Sequence, residues 1–257
     1  MLLENGLWTN GNRMKPISIF RFIFLGLVCG VMVIAWPQAA ATQQEVDGPP
    51  NLPAPAKSAL NFFNSGGAHL DQGKLDQAIA DYTEAIRLKP DFLAAYLNRG
   101  TARRKKGEND QAIADYTKVI QLKADLFEAY TLRGICYGKK GRYEEAVADF
   151  TKALEKKPHY LTYLGLAWVF ATSKNDKYRK GTRAVELAEK AVLFHKNANS
   201  LKTLAAAYAE AGKFKEAVET QEEALALLKQ PGPVPPKELA PYERQLQAYK
   251  SNKPWRE

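Results

Sequence analysis

The central part of the sequence repeats itself every 34 residues, and this period constrains the fold more than any other feature. Four series of residues keep the step: Gly66, Gly100 and Gly134; Gly73, Gly107 and Gly141; Ala78, Ala112 and Ala146; and Tyr82, Tyr116 and Phe150. A fixed period of this size is typical of chains built from stacked copies of one supersecondary unit. Each copy therefore folds as one unit that buries its apolar face against the next copy.

The spacing of apolar residues predicts that the unit is a pair of α-helices. In the first copy, the second half carries apolar residues at i, i+3, i+4 and i+7 from Leu75, the pattern of one helix face. In the second copy, the two predicted helices span about Leu93–Lys106 and Asp110–Leu122, separated by a turn at Gly107. The aromatic and small residues of the period are predicted core positions.

The repeated residues resemble the tetratricopeptide repeat (TPR) pattern. An aromatic residue opens each copy (Phe62, Tyr96 and Tyr130), an Ala-x3-aromatic pair follows, and Pro90 and Pro158 close the first and third copies. The resemblance implies an all-α fold, a right-handed solenoid of about five helix-turn-helix repeats with a C-terminal capping helix. The predicted repeat domain covers residues 59–230, with repeats at 59–92, 93–126, 127–160, 161–197 and 198–230.

The fourth predicted repeat carries an insertion at residues 173–181, and residues 231–257 depart from the period. They begin with a proline-rich turn and continue with an amphipathic helix predicted over about Lys237–Lys250, which suits a cap on the last open face of a solenoid. Residues 161–257 are also similar to a TPR module of exported proteins from planctomycete-type bacteria. That narrower resemblance implies a fold and an origin and no agreed activity.

The N-terminal sequence has the pattern of an export signal. An apolar run from Phe22 to Trp36 follows Arg13, Lys15 and Arg21 and precedes Ala39-Ala40-Ala41, the three parts of a signal peptide. We expect cleavage after Ala41; the alternative is a retained signal anchor spanning Ile17 to Trp36, and Met14 is an alternative start to Met1. Residues 1–41 are thus a signal peptide or anchor, residues 42–58 a proline-rich linker, and the expected location is the periplasm or cell envelope.

The chain is basic, with a formal net charge of +9, and part of the charge is clustered. Arg103–Lys106 forms one run, and Lys139, Lys140 and Arg142 recur one period later. Such residues either complement the C-terminal dipole of a helix or attract an acidic partner. The two cysteines, Cys29 and Cys136, would leave one thiol after signal cleavage, and Cys136 is a predicted core residue.

No motif of catalysis, cofactor binding or metal binding is present. His69, His159 and His195 lack metal-ligand spacing, and no phosphate-binding glycine loop or nucleophile motif occurs. We therefore expect no enzyme activity, no cofactor and no metal site.

The TPR resemblance implies a concave groove lined by the first helix of each repeat. The groove positions predicted to contact a partner are Leu97, Asn98, Thr101, Arg104, Lys105, Glu128, Thr131, Ile135 and Lys139. Of the residues by which one TPR subclass clamps a C-terminal carboxylate, Asn98 alone has a counterpart here. An apolar centre with a basic margin favours a peptide or partner protein with acidic residues, so we expect a noncatalytic interaction scaffold.

The alternative is an envelope protein that binds a polyanion, a nucleic acid or an anionic lipid, through the basic cluster. Few aromatic residues accompany the cluster, which argues against nucleic acid. Under the scaffold hypothesis, the chain would meet a membrane only through an uncleaved N-terminal segment.

Overall fold

The computed structural model describes residues 54–230 and 232–257, which form eleven α-helices, one short 3-10 helix and no strand. The α-helices are α1 (Ala54–Asp71), α2 (Leu75–Leu88), α3 (Leu93–Lys106), α4 (Asn109–Leu122), α5 (Phe127–Lys139), α6 (Tyr143–Lys156), α7 (Tyr160–Thr172), α8 (Gly181–Phe194), α9 (Ala198–Glu210), α10 (Phe214–Lys229) and α11 (Pro236–Lys250). The 3-10 helix spans Asp176–Tyr178. The predicted all-α class is confirmed.

The helices form five antiparallel pairs, from α1 and α2 to α9 and α10, joined in four pairs by tight turns. The glycine of these turns has a positive φ, for example 92° at Gly107 and 73° at Gly141. This left-handed conformation suits glycine and satisfies the last carbonyls of the first helix. The pair α3 and α4 agrees with the helices predicted from the sequence to within one residue.

Glycines inside the first helices let the two helices of a pair approach closely. A Cβ atom on Gly100 would lie 2.8 Å from Cε1 of Tyr116, so the tyrosine ring fills the space that a side chain would take. Tyr116 is fully buried as a result. The glycine and the aromatic residue that recur in each copy of the sequence are thus in contact with each other.

The buried residues form three clusters along the solenoid. Two small ones lie between the first repeats: Ala78, Tyr82 and Ala102; and Ala112, Tyr116 and Cys136. A larger one extends from Ala146 in α6 to Tyr249 in α11. Burial of each large apolar side chain stabilises the fold by about 1.5–3 kcal/mol. Because the largest cluster lies in the C-terminal half, most of this stabilisation is concentrated there.

The solenoid curves so that its odd-numbered helices lie on the inner side. Each odd-numbered helix contacts the next one, from α1 and α3 to α9 and α11, whereas the even-numbered helices of successive pairs make fewer contacts. Elements on the concave side of a curved stack must approach one another most closely. The concave surface is therefore lined by α1, α3, α5, α7 and α9.

Helix α11 covers the end of this stack. Tyr249 is fully buried, and the Gln221 amide of α10 donates to the Tyr242 carbonyl of α11 at 2.8 Å. Pro241 lies inside this helix, in its early turns. The capping role expected of this segment agrees with these contacts.

Two boundaries differ from the expectations. Helix α1 begins at Ala54, so residues 54–58, assigned to the linker, are helical; Pro55 is compatible with this because the first turn of a helix needs no N–H from it. Helix α8 begins at Gly181, inside the predicted insertion. The predicted signal segment, residues 1–41, and residues 42–53 of the predicted linker lie outside the described residues. No helix in the described part of the chain is long and apolar enough to cross a membrane.

Candidate functional site

The predicted partner-binding residues lie on α3 and α5, two neighbouring helices of the concave surface. Helix α3 ends at Gly107, which places Arg103, Arg104, Lys105 and Lys106 together in its last turn. Cations are favourable there because the carbonyl end of a helix carries a partial negative charge. Local helix geometry thus concentrates positive charge at one end of the groove.

Much of the basic cluster is engaged in ion pairs. Arg103 pairs with Asp115 at 2.8 Å, Lys106 with Asp76 at 2.7 Å, and Lys140 with Asp110 at 2.5 Å. Arg142 pairs with Glu145 at 2.6 Å. The pairs of Lys106 and Lys140 each join the turn of one repeat to the repeat before it, so these lysines hold successive units together.

Three cations of the cluster remain without a carboxylate partner among the described residues: Arg104, Lys105 and Lys139. All three belong to the residues predicted to line the groove. Lys105 and Lys139 are exposed, and Arg104 is half-buried. The structure therefore separates the cations of the cluster that are held in ion pairs from those that are not.

Arg104 and Lys139 act on the same point, the Cys136 thiol. Burial raises the pKa of this thiol to about 11, and the positive charges of Arg104 and Lys139 oppose that shift. Burial likewise raises the pKa of the Tyr116 phenol to about 12, against the effects of the Thr101 hydroxyl and Arg104. Arg104 of the second repeat and Lys139 of the third repeat thus both bring a positive charge close to the Cys136 thiol.

Leu97 and Ile135 form the apolar part of the predicted site. Leu97 is half-buried against the cluster of Ala112, Tyr116 and Cys136, and Ile135 packs against the larger cluster. Both keep part of their surface on the outside. They can therefore contribute apolar contacts to a bound chain.

The predicted polar residues of α3 are positioned by the helix itself. The Thr101 hydroxyl donates to the Leu97 carbonyl at 3.0 Å and lies 3.3 Å from the Tyr116 hydroxyl. Asn98 neighbours the Tyr82 phenol, whose pKa is raised to about 12 by burial. Asn98 and Thr101 are half-buried, with surface left for a ligand.

The predicted residues at the start of α5 are less accessible. Thr131 is 2% exposed, and its hydroxyl lies 2.7 Å from the Thr162 hydroxyl of α7. This threonine joins α5 to α7 and offers little surface to a partner. Glu128 is half-buried, and its Oε2 has no hydrogen-bond partner among the described residues.

A ladder of side chains that sequence reasoning missed holds the first three repeats together. Arg133 pairs with Asp149 at 2.8 Å within its own repeat and donates to Thr117 of the preceding repeat at 3.0 Å. Arg99 repeats this arrangement with Asp115 at 2.7 Å and Thr83 at 3.0 Å. These residues keep the 34-residue step, and that recurrence was the signal available in the sequence.

The insertion of the fourth repeat and the residues after α11 come together at the C-terminal ends of α7 and α9. Glu210, at the end of α9, pairs with Arg179 of the insertion at 3.3 Å and with Arg256 at 2.7 Å. Trp255 packs against the large core cluster, and the Glu257 N–H donates to the Thr172 carbonyl of α7 at 3.0 Å. The insertion is therefore held against the repeats. We call residues 253–257 the C-terminal tail.

No site for a metal ion is found in the described ranges, where no three His, Cys, Asp or Glu side chains are grouped suitably.

Comparison with known proteins agrees with this architecture. Sequence profiles described as "Tetratricopeptide repeat" match residues 127–160 and 197–230, and one described as "TPR repeat" matches residues 66–103 and 100–141. The chain is a tetratricopeptide repeat protein. The planctomycete-type origin inferred from residues 161–257 stays a prediction.

Solved TPR structures share the fold at low sequence identity. TTC0263, a thermophilic TPR protein in Thermus thermophilus, is 18% identical, and the alignment covers 76% of this chain and 98% of that one with a TM-score of 0.56. MamA from Desulfovibrio magneticus RS-1 is 19% identical, with coverage of 69% and 98% and a TM-score of 0.57. These likenesses support the solenoid architecture and nothing more specific. No curated protein matches the chain.

Proposed function

We propose that this TPR protein is a noncatalytic interaction scaffold that binds an acidic peptide or an acidic segment of a partner protein in its concave groove. The observation that carries the proposal is the distribution of ion pairs. Arg103, Lys106, Lys140 and Arg142 are paired, whereas Arg104, Lys105 and Lys139, at predicted groove positions, have no carboxylate partner among the described residues. Positive charges left unpaired on an inner surface suit a ligand that brings the carboxylates.

The open part of the groove lies in the first three repeats. Much of α7 and α9 is buried in the large core cluster, for example Leu166, Val169 and Ala206. The tail also contacts the ends of α7 and α9. A partner would therefore lie along α1, α3 and α5.

Affinity at such a site would come from apolar and charged contacts together. Leu97 and Ile135 supply partly exposed apolar surface, worth about 25 cal/mol for each Å² that a ligand covers. Exposed charge pairs contribute less to affinity and more to selectivity and to the association rate. We expect a ligand with alternating apolar and acidic residues.

The alternative of a polyanion bound through the basic cluster gains no support from the structure. Four of its seven cations, Arg103, Lys106, Lys140 and Arg142, already have carboxylate partners. Binding of a polyanion to the cluster would have to compete with these pairs. It would also lose affinity steeply with salt, because it depends on counterion release.

A random peptide display library tests the scaffold proposal. We expect selection against the full chain to enrich peptides rich in Asp and Glu. Their Kd should rise about tenfold or more in the variant Arg104→Glu with Lys139→Glu, since both contacts become repulsive. The matched control is Lys215→Glu with Lys229→Glu, two exposed lysines of α10 whose reversal changes the net charge equally.

The comparison of the two variants decides the outcome. Weaker binding in the groove variant alone would support the proposed site. Equal weakening in both variants would show a general charge effect, and selection of peptides without acidic residues would contradict the proposed ligand class.

We also propose that the protein works outside the cytoplasm, in the periplasm or cell envelope. The support is the order of basic, apolar and Ala-x-Ala segments in residues 1–41 of the sequence.

A further inference from the structure

Two adjacent apolar side chains at the end of α8 are unusually exposed. Leu193 is 86% exposed and Phe194 is 59% exposed. The next most exposed large apolar residues of the described ranges are Leu60, Leu122 and Phe62, at 38%, 37% and 36%. Isolated apolar residues on a surface are ordinary, but an adjacent pair that protrudes this far marks a candidate contact surface.

Aromatic rings extend this pair along the edge where each second helix leads into the next repeat. Phe194 lies 5.9 Å from Tyr163, measured between ring centroids. On the same edge, the ring of Tyr160 lies 5.5 Å from His195 and 5.0 Å from His159. We call the surface from residue 156 to residue 163, together with residues 190–195, the junction edge.

The junction edge carries unpaired positive charge. Lys156, Lys157 and Lys190 are exposed and have no carboxylate partner among the described residues. The Lys157 ammonium lies 5.3 Å above the Phe127 ring, and the Lys190 ammonium lies 5.8 Å from the Tyr163 ring centroid. The ammonium groups of both lysines therefore lie against aromatic rings next to the exposed pair.

Two acidic residues near the junction edge are engaged in ion pairs of their own. Glu155 pairs with Lys152 at 3.1 Å, and Glu223 pairs with Lys196 at 2.6 Å. Glu128 also acts on His159, but the three unpaired lysines outnumber this one carboxylate, so the net charge of the junction edge is positive.

We propose that the junction edge binds the surface of an anionic lipid bilayer. Leu193 and Phe194 would enter the interfacial region, and Lys156, Lys157 and Lys190 would contact the lipid phosphates. Apolar side chains at the centre with lysines around them are the arrangement of interfacial membrane anchors. Each lysine near an anionic surface adds favourable electrostatic energy.

Other occupants fit less well. A second copy of the chain would bring the same positive charge to the contact, which disfavours self-association through this edge. A peptide ligand needs a concave floor for its apolar residues, whereas Leu193 protrudes with most of its surface exposed. Leu193, Phe194 and the three lysines are not among the predicted groove residues, so the scaffold function and this proposal can fail independently.

The test uses an environment-sensitive fluorophore on the full chain, at Leu193→Cys in a Cys29→Ser background. Burial raises the pKa of the remaining Cys136 thiol to about 11, which keeps it unreactive toward the label. The matched control carries the label at Lys215→Cys, an exposed residue of α10. A local label reports insertion at one residue, even if the N-terminal segment tethers the chain to the bilayer.

With vesicles that contain phosphatidylglycerol, we expect a blue shift and quenching by lipid-borne quenchers at position 193 and no change at position 215. Lys156→Glu with Lys157→Glu should raise about tenfold or more the concentration of phosphatidylglycerol needed for the blue shift at position 193, with an unchanged circular dichroism spectrum. The proposal is overturned if the label at 193 stays solvent-exposed or responds equally to phosphatidylcholine vesicles. A shift that depends on protein concentration without vesicles would assign the edge to self-association and overturn it as well.

Discussion

Arg133 donates to both carboxylate oxygens of Asp149, from Nε and from Nη2, at 2.8 Å each. Its third contact, from Nη1 to the Thr117 hydroxyl at 3.0 Å, reaches the preceding repeat. One guanidinium therefore fixes the two helices of its own repeat and the interface with its neighbour. The planar geometry of arginine permits this, and a lysine in its place could not reproduce all three contacts.

The first prediction concerns this pair. Arg133→Met should lower the free energy of unfolding by about 2–4 kcal/mol, because it leaves the carboxylate of Asp149 buried without a partner. Urea denaturation followed by circular dichroism measures the change. Arg87→Met is the control, since the Arg87 side chain is 65% exposed and its pair with Glu84 contributes little. Equal stability of the two variants would contradict the structural role of Arg133.

The second prediction compares two helical glycines. A Cβ atom on Gly165 would lie 2.5 Å from Cζ of Phe150, whereas on Gly67 the nearest atom, the Tyr82 hydroxyl, would be 3.9 Å away. Gly165→Ala should therefore destabilise the protein by about 1–3 kcal/mol through overpacking.

Gly67→Ala should instead raise stability by up to about 1 kcal/mol, because alanine favours helix more than glycine does. Thermal unfolding of the two variants should give shifts of opposite sign. Shifts of the same sign would mean that the α6–α7 contact is looser than described. Gly100→Leu, placed against Tyr116, should destabilise for the same reason as Gly165→Ala.

The third prediction is a pH dependence. Burial raises the pKa of the Cys136 thiol from an ordinary value near 9 to about 11. The folded state thus keeps the proton to higher pH than the unfolded state does. Its contribution to stability is complete below pH 9 and is lost as the pH rises toward 11.

Cys136→Ala removes this contribution, so its urea midpoint should fall less between pH 8 and pH 10.5 than that of the parent. Lysine ion pairs also weaken in this range, but they do so equally in both proteins. Parallel pH profiles would argue against a buried, protonated thiol.

The fourth prediction tests the docking of the C-terminal tail. Glu210→Gln removes the charge that Arg179 and Arg256 share, so the tail and the insertion should open more often. Hydrogen exchange should accelerate at the Glu257 amide, which donates to Thr172. Glu216→Gln, at an exposed residue of α10, is the control. Unchanged protection of the tail would show that the ion pairs of Glu210 are not needed to hold it in place.

The fifth prediction concerns export. If the signal is cleaved, the mature chain should begin at Thr42, and mass spectrometry of the envelope fraction will measure its N-terminus. A chain that keeps residues 17–36 and sediments with membranes would support the signal anchor instead. Recovery in the cytoplasmic fraction with the full N-terminus would contradict both forms of the export prediction.

The sequence predicted those parts of the fold that recur with the period. Gly100, Tyr116 and Gly107 each have counterparts 34 residues away, and the helix pair built around them was predicted to within one residue. The period predicts these helix pairs because the same contact between helices needs the same type of residue at the same position of each repeat. The Arg133 and Asp149 ladder obeyed the same rule and was missed because only the glycine, alanine and aromatic positions of the period were compared.

The contacts that the insertion and the tail make with the repeats could not be predicted from the period. Tyr143 donates to the Glu257 carbonyl at 3.0 Å across 114 positions of sequence, and neither residue belongs to a repeated pattern that relates them. For the groove, the sequence predicted which residues line it but not how exposed each side chain is. That Thr131 is buried against Thr162 depends on how closely α5 and α7 pack, which the period does not specify.

The contacts of the tail change how the solenoid should open. A stack in which each unit contacts only its neighbours unfolds one unit at a time from its ends. The tail joins the third, fourth and fifth repeats to one another, so this half should unfold cooperatively. The first two repeats, with their smaller cores, should fray at lower free energy. Much of the groove that we assign to a partner lies in those repeats, and a bound ligand would therefore extend the cooperative unit toward the N-terminus.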